Sequence, residues 1–372
     1  MELKIQTLSI ERFRALRQLK IEGLGRVNLI TGKNNTGKSS VLEALRILAS
    51  SASPAVIGEI LRFREELSGD EEALGKISDG DGKFILSSLF HGFPPFSSKI
   101  DPILIMSGNQ NNKMNLTIET GWAAEERLDD GTRRLNIQQE SFSDDEESLI
   151  PVLAIKTDDR SRVFSNRRFL NRRSPTYYND DSQRIPCVFV SPYGGEQTAS
   201  LGLLWDNIAL TDFEADVIKA LQIIDPEIEA VTMVGGEVGR LPRVAKVRSK
   251  AIPRPIPLRS YGDGLNRLFG IILSLVNARN GLLLIDEFEN GMHYSVQENA
   301  WRIIFRLAKS LDIQVMATSH SWDTIEAFQK AAAEDSEEGV LVRLTRKGEN
   351  IIPTLFYEDE LAVVTRDRIE VR

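Results

Sequence analysis

Arg26-Val27-Asn28-Leu29-Ile30-Thr31-Gly32-Lys33-Asn34-Asn35-Thr36-Gly37-Lys38-Ser39-Ser40 is the stretch on which the fold turns. The apolar run 27–30 reads as a strand entering a loop of the form G-x-x-x-x-G-K-S. A helix then leaves the loop with Val41, Ala44, Leu45 and Leu48 on one face. Strand, loop and helix in that order make a phosphate-binding P-loop. Gly32 and Gly37 permit backbone conformations that a Cβ would obstruct, so consecutive N–H groups converge on an anion. The helix start near Lys38 adds the positive end of its dipole. Lys38 is predicted to reach the β- and γ-phosphates, and the Ser39 hydroxyl to ligand Mg²⁺. Gly32, Asn34, Asn35, Thr36, Gly37, Lys38, Ser39 and Ser40 are thus the candidate nucleotide contacts of the loop. The competing reading, a glycine-rich turn before an ordinary helix, leaves the full pattern without a reason.

Working outward, residues 4–13 and 19–21 read as two further strands, and the helix after the loop as running to about Ser51. A polar loop is expected over 68–82. From Phe84 to Arg173, β-rich segments at 103–106, 114–119, 135–137 and 152–155 alternate with polar turns. This predicts an antiparallel sheet inserted between halves of the nucleotide-binding core. The acidic run Asp144-Asp145-Glu146-Glu147 reads as a solvated loop. A strand at 188–191 ends at Pro192-Tyr193-Gly194-Gly195. Thr211-Asp212-Phe213-Glu214 has capping-box spacing, and Phe213, Val217, Leu221 and Ile224 follow at helical intervals until Asp225-Pro226. Residues 230–259 read as a twisted β-ribbon turning at Gly235-Gly236. There is no internal repeat, low-complexity tract or sustained heptad run.

The second half of the site stands far downstream, in Gly281-Leu282-Leu283-Leu284-Ile285-Asp286-Glu287. Four apolar residues followed by two carboxylates read as a fully buried parallel strand whose C-terminal end carries the chemistry. Asp286 suits an Mg²⁺ hydrate, and Glu287 can polarise an attacking water. A neighbouring strand, 313–318, closes on Ser319-His320-Ser321, which places His320 to sense the γ-phosphate. Ser260-Tyr261-Gly262-Asp263-Gly264 precedes an apolar helix over 265–276 and forms a second anion-seeking helix start. Because the chain already has a P-loop for its own nucleotide, this turn is expected to face the γ-phosphate held by another copy. A flexible helix cap is the alternative.

Composition bounds these readings. With 372 residues, 41% hydrophobic and 27% charged, the chain can bury a large core in one or two lobes. A net charge of −8 excludes a surface that is basic throughout. The single cysteine, Cys187, sits in an apolar run, excludes an intrachain disulfide framework and fits a reducing cytoplasm. No signal peptide or membrane-spanning run is present. Two segments are locally basic. Arg160, Arg162, Arg167, Arg168, Arg172 and Arg173 are interleaved with Phe164, Phe169, Tyr177 and Tyr178. Arg240, Arg243, Lys246, Arg248, Lys250, Arg254 and Arg259 lie in the ribbon region. Either can hold nucleic acid, or pair with acidic loops or a protein partner.

Taken together, these motifs resemble the ABC-type ATPase heads of the RecF, SMC and OLD (overcoming lysogenisation defect) group, and among them the stand-alone OLD-like ATPases of bacterial defence systems. The resemblance rests on Ile10-Glu11-Arg12-Phe13-Arg14, the loop 32–40, the signature-like turn 260–264 and the Walker-B-like 283–287. It extends to the D-loop-like Glu289-Asn290-Gly291-Met292-His293 and the switch region 317–321. Leu89-Phe90-His91-Gly92, Leu204-Trp205-Asp206 and Ile369-Glu370-Val371-Arg372 also look OLD-like. Two features depart from the pattern: no glutamine is assignable to a Q-loop, and no Toprim segment follows the last strands.

The resemblance implies an α/β fold, a P-loop NTPase head with a mixed, largely parallel core sheet flanked by helices, an inserted antiparallel β lobe and a helical insertion. Its segments would be 1–60 (strands and P-loop), 61–185 (β lobe), 186–259 (helices and ribbon) and 260–372 (signature, Walker B and switch). It implies ATP and Mg²⁺ as ligands and a homodimer or higher homo-oligomer closed by sandwiched ATP. Carried over by position, Lys38, Glu287 and His320 act in catalysis, and Ser39 and Asp286 hold the metal. Ser260, Gly262, Asp263 and Gly264 contact the partner's nucleotide, Asn290 and His293 lie at the seam, and Arg14 lies near the nucleotide. The three histidines, His91, His293 and His320, form no metal-spaced cluster, and no nuclease activity is expected of this chain. The functional expectation is an ATPase switch controlling a separate effector, as in a two-component PARIS-like anti-phage system. A RecF-like DNA clamp and a nucleotide-sensing scaffold are the alternatives.

Overall fold

The structure is a computed structural model and describes residues 3–68, 83–96, 99–109, 111–127, 133–138, 149–165, 185–192, 198–235, 243–334 and 339–372. In chain order the first strands are β1 (Thr7–Phe13), β2 (Leu16–Glu22), β3 (Val27–Thr31), β4 (Leu67–Ser68) and β5 (Lys83–Phe84). There follow β6 (Ile103–Gly108), β7 (Lys113–Arg127), β8 (Arg133–Gln138), β9 (Leu149–Thr157), β10 (Ser161–Ser165) and β11 (Cys187–Val190). The last are β12 (Ile228–Val234), β13 (Val244–Ser249), β14 (Ile256–Pro257), β15 (Leu282–Ile285), β16 (Gln314–Thr318), β17 (Gly339–Lys347) and β18 (Asn350–Phe356).

The sheet that carries the site runs in the order β11-β15-β16-β3-β17-β18, parallel except for the β17–β18 hairpin. Its central strands bury apolar side chains on both faces, as the residues show one by one. Leu282 and Leu284 enter one core, while Leu283 and Ile285 enter the other. The same alternation sends Val27 and Leu29 one way and Ile30 the other. The helices Asp263–Asn277, Tyr294–Ser310 and Trp322–Ala332 contribute buried residues to the first core. Helices α1 (Lys38–Ala49) and α2 (Pro54–Phe63) and the antiparallel sheet build the second. A sheet covered on both sides needs continuous apolar strands, as the run 282–285 shows.

Several expectations are corrected here. The antiparallel sheet has the order β10-β9-β7-β6-β1-β2, with β8 paired to β7. The two N-terminal strands therefore belong to the β lobe, because β1 pairs with β6 from Thr7↔Gly108 to Glu11↔Leu104. The first strand begins at Thr7 rather than Lys4, and the second extends to Leu16–Glu22. Helix α2 was not anticipated. Its signal was Ser53-Pro54, an N-cap-type residue before a proline in the first turn. The capping box at 211–214 does not form. The Thr211 hydroxyl donates to the Ile208 carbonyl at 2.6 Å, and Glu214 accepts from the Leu210 N–H at 2.9 Å. The helix nevertheless runs over Asp212–Gln222, with Val217 and Leu221 buried as its periodicity required. The ribbon has three described strands, β12-β13-β14. The expected polar loop beyond Ser68, the acidic run 144–147, Arg167, Arg168, Phe169, Arg172, Arg173, Tyr177, Tyr178, Tyr193-Gly194-Gly195, Gly236 and Arg240 lie outside the described residues.

Candidate nucleotide site

The C-terminal ends of β3, β16 and β15 lie side by side, with Thr318 level with Ile30 and Ala317 level with Ile285. Gly32 leaves β3 at φ 142°, and a Cβ there would stand 2.5 Å from the Leu344 carbonyl and 2.8 Å from Thr36 Oγ1. Gly37, at φ 83°, begins α1, and a Cβ there would stand 2.6 Å from Leu16 Cδ2. Glycine is required at both for conformation and for space. Asn35 takes φ 62° at the tip. Thr36 is buried and its hydroxyl donates to the Lys33 carbonyl at 2.8 Å, which tightens the loop. Ser40 is buried in the first turn of α1, and Asn34 is exposed. Lys38 Nζ folds over the loop, donating to the Gly32 and Lys33 carbonyls at 2.7 and 3.2 Å. Burial pulls its ammonium below the usual lysine range, and the carboxylates Asp286, Glu287 and Glu289 partly oppose that shift.

Those carboxylates are organised by one residue that sequence reading did not single out. The fully buried Thr318 donates to Asp286 Oδ1 at 2.6 Å and accepts from the Glu287 N–H at 2.9 Å. Ser39 Oγ donates to the same Asp286 oxygen at 3.2 Å, so the P-loop helix and the end of β15 share an atom. Glu287 sits at φ 48°, and the Asn290 amide donates to its Oε2 and to the Pro192 carbonyl. A serine hydroxyl and a carboxylate oxygen at this spacing suit Mg²⁺, which keeps waters and phosphate oxygens for its other positions. Among the described residues no group of three or more His, Cys, Asp or Glu could hold a metal without such help.

His320 lies beyond β16, half-exposed, with its backbone N–H on Glu289. The signature-like turn is placed elsewhere in the chain. Ser260 is exposed in a short helix over Leu258–Tyr261, and Asp263 is exposed and paired with Arg259 at 3.5 Å. Gly262, at φ 156°, has nothing within 4 Å of where a Cβ would stand. Gly264 lies beside the D-loop-like segment, where an added Cβ would stand 3.7 Å from the Gly291 carbonyl. His293 caps the helix Tyr294–Ser310, and its ring lies 4.2 Å from that of the exposed Tyr294.

Geometry bears on two expectations about charge. The Arg14 guanidinium is engaged by carboxylates of its own chain. It is buried against Glu43 and forms a bidentate pair with Glu66 at 2.7 and 3.0 Å. Only its turn approaches the loop, through Ala15 and Leu16 beside Gly37. Several residues of the basic segments are engaged within the chain. Arg162 donates to the Ser51 carbonyl, Arg243 pairs with Asp206, and Arg248 with Glu229. Burial pushes the Cys187 thiol up to about 12, as suits an inert side chain. Arg346 was also unforeseen: from β17 it donates to the Asn35 carbonyl at 2.6 Å and steadies the loop tip. The Thr31 hydroxyl behind the loop donates to the Val371 carbonyl, also at 2.6 Å. No helix among the described residues is long and apolar enough to cross a membrane.

Comparison with known proteins agrees with this geometry. The family model described as "AAA domain, putative AbiEii toxin, Type IV TA system" matches residues 27–325, from the P-loop strand to beyond His320. A Helicobacter pylori protein named ATP/GTP phosphatase is 22% identical over 96% of both chains. The Archaeoglobus fulgidus DNA double-strand break repair Rad50 ATPase is 32% identical over 88 residues, which is 21% of this chain and 10% of that one. Among solved structures, the Smc head domain from Pyrococcus furiosus, determined with an extended coiled coil and bound to the C-terminal domain of ScpA, aligns over 100% of both chains. Its TM-score is 0.51 and its identity 11%. The match over 27–325 takes in the P-loop, the carboxylate-bearing strand and the switch strand alike, so the chain belongs to this AAA-domain family, built on the P-loop ATPase fold of SMC-type heads.

Proposed function

We propose that the chain hydrolyses ATP as a molecular switch. Its closed state is a head-to-tail pair of copies, with each nucleotide held between the P-loop of one and the turn 260–264 of the other. The observation that carries this reading is the Ser39–Asp286–Thr318–Glu287 chain of contacts, which joins the phosphate cradle to a candidate base across three strand ends. The H. pylori relative's name supports phosphohydrolysis and makes GTP the competing substrate to test.

In this reading the loop N–H groups and Lys38 bind the β- and γ-phosphates. Ser39 and Asp286 would hold Mg²⁺, which when bound neutralises charge on the phosphates. Glu287, oriented by Asn290, accepts a proton from the attacking water, and His320 contacts the γ-phosphate. The exposed Ser260 and open Gly262 supply donors to a nucleotide on the other copy. Closure then depends on the γ-phosphate and is released by hydrolysis.

The switch acts on a separately encoded effector, a Toprim-type nuclease of an anti-phage system in our reading. The family's description as part of a toxin–antitoxin system supports a two-polypeptide arrangement. The test is Glu287→Gln in the full chain with ATP and Mg²⁺. Turnover should fall at least about 100-fold, as for loss of a general base, while ATP-bound dimer accumulates in light scattering. Unchanged turnover, or a strictly monomeric ATP-loaded variant, refutes the proposal.

A further inference from the structure

The segment that follows β15 is anchored on either side of Glu289. Phe288 is fully buried and stacks on Trp301, with ring centroids 4.0 Å apart. Asn290 is tied to Glu287 and to the Pro192 carbonyl. Held between them, Glu289 grips a single residue at two points. Its Oε1 accepts from the backbone N–H of His320 at 3.0 Å and lies 3.2 Å from Nδ1 of the same histidine. The glutamate side chain is 10% exposed, whereas that of the histidine is 53% exposed, so packing alone does not orient the ring. Glu289 Oε2 is buried without a hydrogen-bond partner, and the charge acts on Lys38 together with those of Asp286 and Glu287. A buried carboxylate with an unpaired oxygen is costly, and an apolar side chain at this position would avoid that cost.

The chemistry of the pair gives the carboxylate a use. A carboxylate can only accept, so at 3.2 Å the ring nitrogen that faces it is placed to donate as Nδ1–H. That leaves Nε2, on the opposite edge of the ring, as the atom that meets a ligand. We propose that Glu289 is a positioning residue that fixes both the backbone and the Nδ1–H tautomer of His320, so that Nε2 is presented to the γ-phosphate. The proposal rests on the reading of His320 as a γ-phosphate sensor. It assigns to Glu289 a role distinct from those of the metal-holding Asp286 and the base Glu287. The same tripartite logic, in which a carboxylate orients a histidine that acts on something else, recurs wherever ring orientation must be held without covalent help.

The experiment compares the full chain with Glu289→Ala and Glu289→Gln. The chain has three histidines, so ¹⁵N–¹H correlations of the imidazoles can be assigned to His320 by one substitution. At pH about 8, where an ordinary imidazole is neutral, the unsubstituted chain should show His320 in the Nδ1–H form. Glu289→Ala should move it toward the Nε2–H form that an unrestrained histidine side chain prefers. Turnover should fall about 10- to 100-fold, the usual effect of removing an orienting partner, with affinity for a fluorescent ATP analogue and Mg²⁺ unchanged. Glu289→Gln keeps an acceptor oxygen and should recover the tautomer and most of the turnover. An unchanged His320 tautomer in Glu289→Ala overturns the proposal. So does affinity falling in step with turnover, or a Gln variant as impaired as the Ala variant. Absence of hydrolysis in the unsubstituted chain would count against the switch reading, while the tautomer comparison still decides the part played by Glu289.

Discussion

Thr318→Val tests whether one hydroxyl holds the site together. The substitution keeps the branched shape at a fully buried position and removes only the oxygen. Two bonds go with it: the donation to Asp286 Oδ1 at 2.6 Å and the acceptance from the Glu287 N–H at 2.9 Å. A hydrogen bond to a charged group contributes about 1.5–3 kcal/mol, and a buried N–H left unpaired costs about 1–3 kcal/mol. Asp286 keeps Ser39 as a partner, and the new methyl returns about 1 kcal/mol of apolar burial. The net expectation is a loss of about 2–4 kcal/mol, read from urea unfolding with an unchanged m value. Thr318→Ser retains both bonds, so its loss should be about 1 kcal/mol, from one buried methyl. ATP turnover should separate the pair further: the valine variant falls about 10- to 100-fold as Asp286 and Glu287 lose their common support, and the serine variant stays near the parent. Equal stability and equal turnover for the two variants would refute the idea that the hydroxyl organises the carboxylates.

Other outcomes follow from the same geometry. Ser260→Arg places a bulky cation on the exposed turn; it should abolish the ATP-dependent dimer in a Glu287→Gln background, with ATP binding to the monomer retained in equilibrium dialysis. Gly32→Ala would drive a Cβ to 2.5 Å from a backbone carbonyl at φ 142°, so the variant should lose nucleotide binding and about 1–3 kcal/mol of stability to backbone strain. Asp312 links the N-terminal segment to the turn before β16 through Lys4 and Arg26. Burial opposes its charge, but hydrogen bonds and the charges of Lys4 and Arg26 outweigh burial and hold the carboxyl below the usual range. A depressed folded value means that this contribution is complete above the unfolded value of about 3.9 and disappears as pH falls through the folded one. Because Asp312 and Lys4 are only partly exposed and Arg26 is buried, Asp312→Asn should cost about 1–2 kcal/mol at neutral pH, and the difference from the parent should vanish in urea titrations at the acid end.

Local pattern determined much of this protein. The P-loop could be read from Gly32 to Ser40 because its conformation needs glycine at two fixed positions, and both are where a Cβ collides. The strand 282–285 could be read because burial on both faces of a sheet favours an unbroken apolar run, and Leu283 and Leu284 do enter opposite cores. The helix over Asp212–Gln222 could be read from its apolar spacing even though its cap was mistaken, since side-chain burial outweighs a single terminal hydrogen bond. Partner choice could not be read in this way. Arg14, read as lying near the nucleotide, has its guanidinium engaged by Glu43 and Glu66, 29 and 52 residues away along the chain. The strands β1 and β2 were legible as strands, but only tertiary pairing with β6 assigns them to the β lobe. Thr318 and Glu289 acquire meaning only where β16 lies between β3 and β15, because hydrogen bonds join atoms that are close in space, whatever their separation in sequence.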